Sequence, residues 1–156
     1  MVEVLVIIDM QKNFKASRCK RTTQNIIRLI KEFKKKKNNI LIVEYSGENA
    51  TRWDIVKAIG SYNHRIFVNK NEDDGAKDIQ LELCRNGYCE ISDISFILCG
   101  VNFGACVLDT AVGLRKRFPN CKVNVVEEAC NDDNNPESDY WKQDKKYMVK
   151  NSINVC

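Results

Sequence analysis

Histidine is nearly absent from this chain of 156 residues, which contains only His64. The chain also has no two cysteines in the CxxC spacing that is common in zinc sites. Both absences argue against a metal centre, and we expect neither a metal nor a cofactor. His64 begins a predicted strand, whereas sites in α/β sheets lie at the carboxyl ends of strands, so a Cys–His dyad is poorly supported.

Long apolar runs are also lacking. No segment approaches the roughly 20 residues that cross a bilayer. The opening "MVEVLVIIDM" carries Glu3 and Asp9, whereas a secretory signal has a basic start. We therefore predict a cytoplasmic protein without membrane contact. There its cysteines should be free thiols; they are Cys19, Cys84, Cys89, Cys99, Cys106, Cys121, Cys130 and Cys156.

Net charge is modest, at +4, and its most visible source is the run "KEFKKKKNN" at 31–39. One interpretation is a nucleic-acid surface formed by the lysines from Lys34 to Lys37. The other is the solvated end of a helix, where lysines favour the negative end of the dipole. We prefer the second and expect no nucleic-acid partner, because Phe33 is the only aromatic residue within the run.

Short apolar runs alternate with helical patterns along the chain. The predicted strands are 2–9, 39–45, 64–70, 93–101, 122–129 and 153–155. The predicted helices are 22–37, 50–60, 76–86, 105–118 and 137–150. Strands that alternate with helices form a parallel sheet covered on both faces, so we predict an α/β fold. No linker or break in composition divides the chain, and 1–156 is expected to be one domain.

Three chemically capable residues stand at or just beyond predicted strand ends: Asp9, Lys70 and Cys106. Cys106 follows the glycine-containing turn "GVNFGA", near the start of a helix, where a thiol is easily ionised and backbone amides can hold an oxyanion. Lys70 would supply positive charge, and Asp9 would take the thiol proton. Each residue also has a purely structural explanation: Asp9 as a turn residue, Lys70 as a surface lysine and Cys106 as a packing residue.

Two segments resemble the isochorismatase-like cysteine hydrolases, a family that includes nicotinamidases, ureide hydrolases and isochorismatases. "VLVIIDMQKNF" at 4–14 is similar to the family's opening motif. "CGVNFGACVLDTAVGLRKRFPNCKVNVVEEACND" at 99–132 is similar to its second signature. The middle of the chain, from about 46 to 92, matches only in Lys70.

This resemblance implies a three-layer α/β/α sandwich with six parallel strands in the order 3-2-1-4-5-6. It implies that Asp9, Lys70 and Cys106 form a catalytic triad. It also implies a cis peptide between Val101 and Asn102, with the amides of Asn102 and Cys106 forming the oxyanion hole.

The function implied is hydrolysis of a C–N bond in a small amide or ureide through a thioester. The metal-binding Asp-x-His pair of nicotinamidases has no counterpart in "VEYSGENATRW" at 43–53. Two alternatives stay open: isochorismate-type cleavage of a vinyl ether with Asp9 as general acid, and a protein that only binds a small molecule or a partner. Low reactivity of Cys106 toward iodoacetamide would favour the binding protein.

Aromatic side chains near these motifs are candidates for the walls of a substrate pocket: Phe14, Tyr45, Trp53 and Phe103. A small-molecule substrate is the expected partner. The resemblance also suggests a homodimer or a homotetramer.

Overall fold

The computed structural model describes residues 1–88 and 93–156, which form alternating strands and helices. The strands are β1 (Val2–Ile8), β2 (Asn39–Tyr45), β3 (Arg65–Lys70), β4 (Ile94–Gly100), β5 (Lys122–Cys130) and β6 (Asn154–Val155). The helices are α1 (Lys20–Lys36), α2 (Trp53–Ile59), α3 (Ala76–Arg85), α4 (Leu108–Arg117) and α5 (Asp139–Lys150). A 3₁₀ turn spans Lys15–Arg18 and a π-helical turn spans Phe103–Val107.

The strands form one sheet in the order β3-β2-β1-β4-β5-β6, and every pair is parallel. This confirms the predicted fold class and strand order. The chain first builds outward from β1 to β3 and then returns to place β4 on the other side of β1. The carboxyl ends of β1 and β4 therefore flank the switch in strand order, where α/β proteins hold their ligands.

Each face of the sheet has its own apolar core, because β1 alternates its side chains between the two faces. Leu5 and Ile7 pack with α1 and α2. Val4, Val6 and Ile8 pack with α3, α4 and α5. These two layers of helices complete the α/β/α sandwich.

Gly100 ends β4 at a point where the backbones of β1 and β4 approach closely. Its φ of 121° is unfavourable for any residue with a side chain, and a Cβ atom here would overlap with the backbone of Ile8. Glycine at this position lets β4 pair with β1 up to its last residue, immediately before the site.

Two boundaries differ from the sequence prediction. α1 begins at Lys20, before the expected 22, and it ends in the lysine run as predicted. The segment predicted as one helix over 105–118 is divided into the π-helical turn and α4. Cys106 therefore lies in that turn, before α4, instead of in the first turn of a long helix.

Two side chains of the lysine run contact other parts of the protein. Lys34 Nζ donates to the carbonyls of Ala58 and Ile59 at the end of α2, at 3.0 and 2.9 Å. Lys36 pairs with Glu3 at 3.2 Å. These contacts agree with a helix end and do not require a nucleic acid.

The buried thiols behave as small apolar side chains, as expected for Cys99, Cys121 and Cys130, all of which are at most 5% exposed. Cys89 lies outside the described residues. Within 1–88 and 93–156, no helix combines the length and the apolar character that a membrane span requires.

Candidate active site

Asp9 follows β1 and is held in an unusual backbone conformation. Its φ is 49°, in the left-handed region, and its N–H donates to the carbonyl of Val43 at 3.0 Å. The hydrogen bond continues the pairing with β2 and turns the side chain into the protein, where it is only 1% exposed. The carboxylate is therefore fixed at the carboxyl edge of the sheet.

Lys70 is the last residue of β3 and is fully buried. Its Nζ lies 3.0 Å from Oδ2 of Asp9. The same ammonium donates to the carbonyls of Glu72 and Asp73 at 2.9 and 3.4 Å, and it lies 4.3 Å from the centre of the Tyr45 ring. A buried lysine needs such compensation, and here a carboxylate, two carbonyls and an aromatic face supply it.

Cys106 completes the group that the sequence predicts. The residue is 8% exposed, and its Sγ donates to Oδ1 of Asp73 at 3.5 Å. Asp9 lies close enough for its charge to act on the thiol. The structure thus brings Asp9, Lys70 and Cys106 together and adds a fourth group, Asp73.

The pKa of the Cys106 thiol is raised well above its ordinary value, first by burial and then by the charge of Asp9. The Lys70 charge acts to lower the pKa, but its effect is smaller than those of burial and Asp9. This corrects the expectation of a thiol that is easily ionised at a helix start, since burial and a neighbouring carboxylate outweigh the cation. Low iodoacetamide reactivity of the free protein therefore no longer distinguishes a binding protein from an enzyme.

Burial also raises the pKa of the Asp9 carboxyl, while the thiol and the Lys70 ammonium act to lower it. A carboxylate with a raised pKa is a better proton acceptor than an exposed one. Oδ1 of Asp9 is buried and accepts no hydrogen bond from any described residue. The structure therefore leaves one oxygen of Asp9 open beside the thiol.

The turn before Cys106 is held by hydrogen bonds to the two residues that follow β5. The peptide between Val101 and Asn102 is cis, at the position that the resemblance implies. Phe103 N–H donates to the carbonyl of Asn131 at 3.0 Å, and Gly104 N–H donates to Oδ2 of Asp132 at 2.8 Å. The N–H of Asn102 has no partner within the described ranges.

Three further residues support this arrangement, although the sequence analysis did not single them out. Gln11 Nε2 donates to the carbonyls of Tyr45 and Asn49 at 3.0 and 2.7 Å, and its Oε1 accepts from Tyr45 N–H at 2.7 Å. This fixes the turn after Asp9 to the end of β2. In the sequence, the available signal was an amide side chain two residues after a candidate acid.

Thr110 performs a similar task for the loop that follows Lys70. Its Oγ1 accepts from Gly75 N–H at 3.0 Å and donates to the carbonyl of Asp73 at 3.3 Å. Thr110 is fully buried, so it clamps the loop whose carbonyls hold Lys70. Asp73 is a loop residue with no sequence pattern of its own, and only the fold reveals its contact with Cys106.

The four predicted pocket residues differ in their burial and contacts. Phe103 is fully buried and stacks on Trp141 with ring centres 4.0 Å apart, so it is a core residue and not a pocket wall. Trp53 is 75% exposed and borders a surface groove with Lys12 and Arg52. Tyr45 covers the Lys70 ammonium, and Phe14 is half-buried against the α1 core.

The single histidine does not join the candidate catalytic group. His64 precedes β3, at the opposite end of that strand from Lys70, and its ring contacts Tyr62. No group of three or more His, Cys, Asp or Glu residues among 1–88 and 93–156 is arranged to hold a metal ion.

A sequence profile described as the isochorismatase domain matches residues 3–152. The chain belongs to the isochorismatase family. No curated protein matches the sequence. The six-stranded parallel sheet of this isochorismatase-family protein also has counterparts among solved structures.

The nicotinamidase SaPncA from Staphylococcus aureus is 16% identical, with a TM-score of 0.77 over the whole of both chains. N-carbamoylsarcosine amidase from Thermoplasma acidophilum is 21% identical, with a TM-score of 0.73 over 99% of this chain and 95% of that one. The MAR1 ribonuclease from Caenorhabditis elegans is 19% identical, with a TM-score of 0.75 over 98% and 75%. At these identities the likeness establishes the shared fold.

Proposed function

We propose that the protein hydrolyses a C–N bond of a small amide or ureide, with Cys106 as the nucleophile. The observation that carries the proposal is the buried ion pair of Asp9 and Lys70 beside the Cys106 thiol at the switch point. Membership of the isochorismatase family supports a hydrolase, and the names of the nicotinamidase and amidase neighbours agree with this bond type.

The first half of the proposed reaction forms a thioester. The resting thiol is protonated because its pKa is raised. Its proton passes to the open oxygen of Asp9 as Sγ bonds to the carbonyl carbon. The C–N bond then breaks, and the amine leaves with the proton from Asp9.

In the second half, Asp9 removes a proton from water, and the oxygen attacks the thioester carbon. The C–S bond breaks, the acid product leaves and the thiol regains its proton. The Lys70 ammonium, 3.0 Å from Oδ2, stabilises the carboxylate form of Asp9. The amides of Asn102 and Cys106 are proposed to hold the oxyanion in both halves, since the Asn102 N–H donates to no acceptor among residues 1–88 and 93–156.

One observation favours a second reaction. Burial raises the pKa of the Asp9 carboxyl, which also suits a general acid that protonates a vinyl ether of the isochorismate type. In that case Cys106→Ala is nearly harmless, whereas Asp9→Asn is inactive. The proposed amidase instead loses activity in both variants.

The test is an activity screen of amides, ureides and isochorismate with the wild type and Cys106→Ala. We expect turnover of an amide or ureide to fall by at least about 10³-fold in Cys106→Ala, as for loss of a nucleophile. Acid-quenched wild type should carry the substrate's acyl group on Cys106, detected by mass spectrometry of its peptide.

Cys99→Ala is the matched control, because Cys99, on β4, is also a buried thiol. It should retain activity and form the same acyl adduct. Full activity of Cys106→Ala on the identified amide contradicts the mechanism. If no compound in the screen is consumed, the protein is better described as a binding member of its family.

A further inference from the structure

Carboxylates gather around Cys106 although the chain as a whole is basic, with a net charge of +4. Asp73 accepts the hydrogen bond from Sγ at 3.5 Å. Asp144 of α5 lies against Gly104, two residues before Cys106, so that a Cβ atom at Gly104 would overlap with its carboxylate. Asp109, three residues after Cys106, is half-buried, and the charges of Asp73 and Asp144 both raise its pKa.

Within residues 1–88 and 93–156, none of Asp73, Asp109 and Asp144 forms an ion pair. Lys70 acts to lower the pKa of Asp109, but its ammonium already contacts Asp9 and two backbone carbonyls. Burial and neighbouring carboxylates raise the pKa of both Asp109 and Asp144. The carboxylates beside the thiol are therefore not neutralised by an ion pair with any described residue.

A second observation points to a ligand rich in hydrogen-bond donors. Oδ1 of Asp9, a side chain 1% exposed, is buried beside the thiol and accepts no hydrogen bond from any described residue. Oδ1 of Asn102 is also buried and unpaired within the same ranges. Buried acceptors are normally satisfied, and a bound molecule with N–H groups would satisfy these two.

We propose that the substrate of this site is positively charged: a small amide or ureide that also carries an ammonium or another cationic nitrogen. Its cationic group lies among Asp73, Asp109 and Asp144, and its carbonyl carbon lies over Cys106 Sγ. The inference rests on the amide hydrolysis proposed above and adds the class of substrate. A confined region of one sign of charge selects the opposite charge, typically by 10-fold or more.

Neighbouring surfaces fit a cation less well. A depression of about 200 Å³ beside Asp109 also has Lys116 on its wall. A separate surface of α5 is formed by Lys142, Lys145, Lys146 and Lys150 around Val149. Both surfaces carry lysine ammonium groups, which repel a cation.

The first experiment measures charge selection at the thiol without needing turnover. Cys106 and the exposed Cys156 are labelled with two methanethiosulfonates of similar size, one trimethylammonioethyl and one sulfonatoethyl, and each peptide is quantified by mass spectrometry. We expect the cation-to-anion rate ratio at Cys106 to exceed that at Cys156 by about 10-fold or more at low salt, and to fall as salt rises. Equal ratios at the two cysteines overturn the proposal.

Asp144→Asn should lower the ratio at Cys106 by about fivefold, and Asp109→Asn by a similar factor. Glu32→Gln is the charge-matched control, because it removes one negative charge from exposed α1 on the opposite face of the sheet. It should leave the ratio unchanged. If Glu32→Gln lowers the ratio as much as Asp144→Asn does, the selection arises from net charge and the proposed site is wrong.

The second experiment uses three amides of similar shape: β-alaninamide (cationic), butyramide (neutral) and succinamate (anionic). We expect kcat/KM to decrease in that order, with about a 10-fold advantage of the cation over the neutral amide that shrinks in Asp144→Asn. Turnover of butyramide at an equal or higher rate, lost in Cys106→Ala, overturns the charge preference but keeps the amidase. No turnover of any amide, with a clear labelling ratio, rejects the amidase but retains a cation site. A preference that excess Mg²⁺ abolishes at constant ionic strength assigns the carboxylates to a metal ion and overturns the proposal.

Discussion

Lys70 Nζ lies 3.0 Å from Oδ2 of Asp9, and the two side chains are 0% and 2% exposed. Removal of one partner leaves an uncompensated buried charge, which typically costs about 3–5 kcal/mol. We therefore expect Lys70→Met to lower the free energy of unfolding by about that amount, measured by urea denaturation.

The double variant Asp9→Asn/Lys70→Met should be less destabilised than the sum of the two single variants, since no charge remains buried. Lys36→Met is the exposed control, because its pair with Glu3 involves side chains that are 58% and 38% exposed. It should cost less than about 1 kcal/mol. Strict additivity in the double variant would show that the pair does not act as a unit.

Alkaline pH should destabilise the protein through its buried thiols. Burial raises the pKa of Cys106 above the ordinary 9.0, and burial does the same for Cys99 and Cys130. Above pH 9 the unfolded chain loses these protons while the folded protein keeps them. The stabilisation is thus fully present below pH 9 and decreases as the pH rises above it.

Cys106→Ser should reduce this alkaline slope by up to about 1.4 kcal/mol per pH unit, the value for one proton. Urea denaturation between pH 7 and 10.5 measures it. Cys156→Ser, at an exposed position, should have the slope of the wild type. Identical slopes in the wild type and Cys106→Ser would show that the thiol ionises equally well in the folded protein.

Thr110 should matter through its hydroxyl group alone. Thr110→Val keeps the shape but leaves Gly75 N–H without its acceptor, at a cost of about 1–3 kcal/mol. The loop that holds Lys70 also loses its clamp, so we expect kcat to fall more than KM rises. Thr110→Ser keeps the hydroxyl and should restore kcat. If valine retains the wild-type kcat while serine lowers it, the methyl group is what matters.

Gly100→Ala should be far more harmful than the same change at another glycine with positive φ. A Cβ at Gly100 overlaps with the Ile8 backbone, whereas nothing lies within 4 Å of a Cβ at Gly47. Gly47→Ala carries only the strain of its φ of 81°, roughly 1–2 kcal/mol. Gly100→Ala should fail to give a cooperative thermal transition. Equal transition temperatures for the two variants would contradict the close approach of β1 and β4.

The architecture was accessible from the sequence because the strands are apolar and the helices amphipathic. The parallel sheet, its strand order and the grouping of Asp9, Lys70 and Cys106 at one edge follow from strand ends together with the family resemblance. The π-helical turn was missed, since nothing in "FGACV" separates it from the helix that follows. Phe103 was mistaken for a pocket residue because its position beside the site does not reveal its stacking on Trp141.

The environment of the thiol was also beyond the sequence. A helix start beside a lysine predicts a low pKa, but the balance depends on burial and on the distance to each carboxylate. Asp73, Asp109 and Asp144 come from a loop and two different helices, so only the folded chain shows that Asp73 contacts Cys106 and that Asp109 lies near Asp73 and Asp144. Such long-range charge effects have no local pattern.

The Lys70 ammonium is held by the backbone oxygens of Glu72 and Asp73, and not by their side chains. A substitution changes the side chain and keeps the backbone carbonyl. The side chains at positions 72 and 73 can therefore change without removing the backbone contacts of Lys70. Libraries randomised at positions 72 and 73 should yield altered substrate preference at little cost in folding, which makes this loop the natural starting point for redesign.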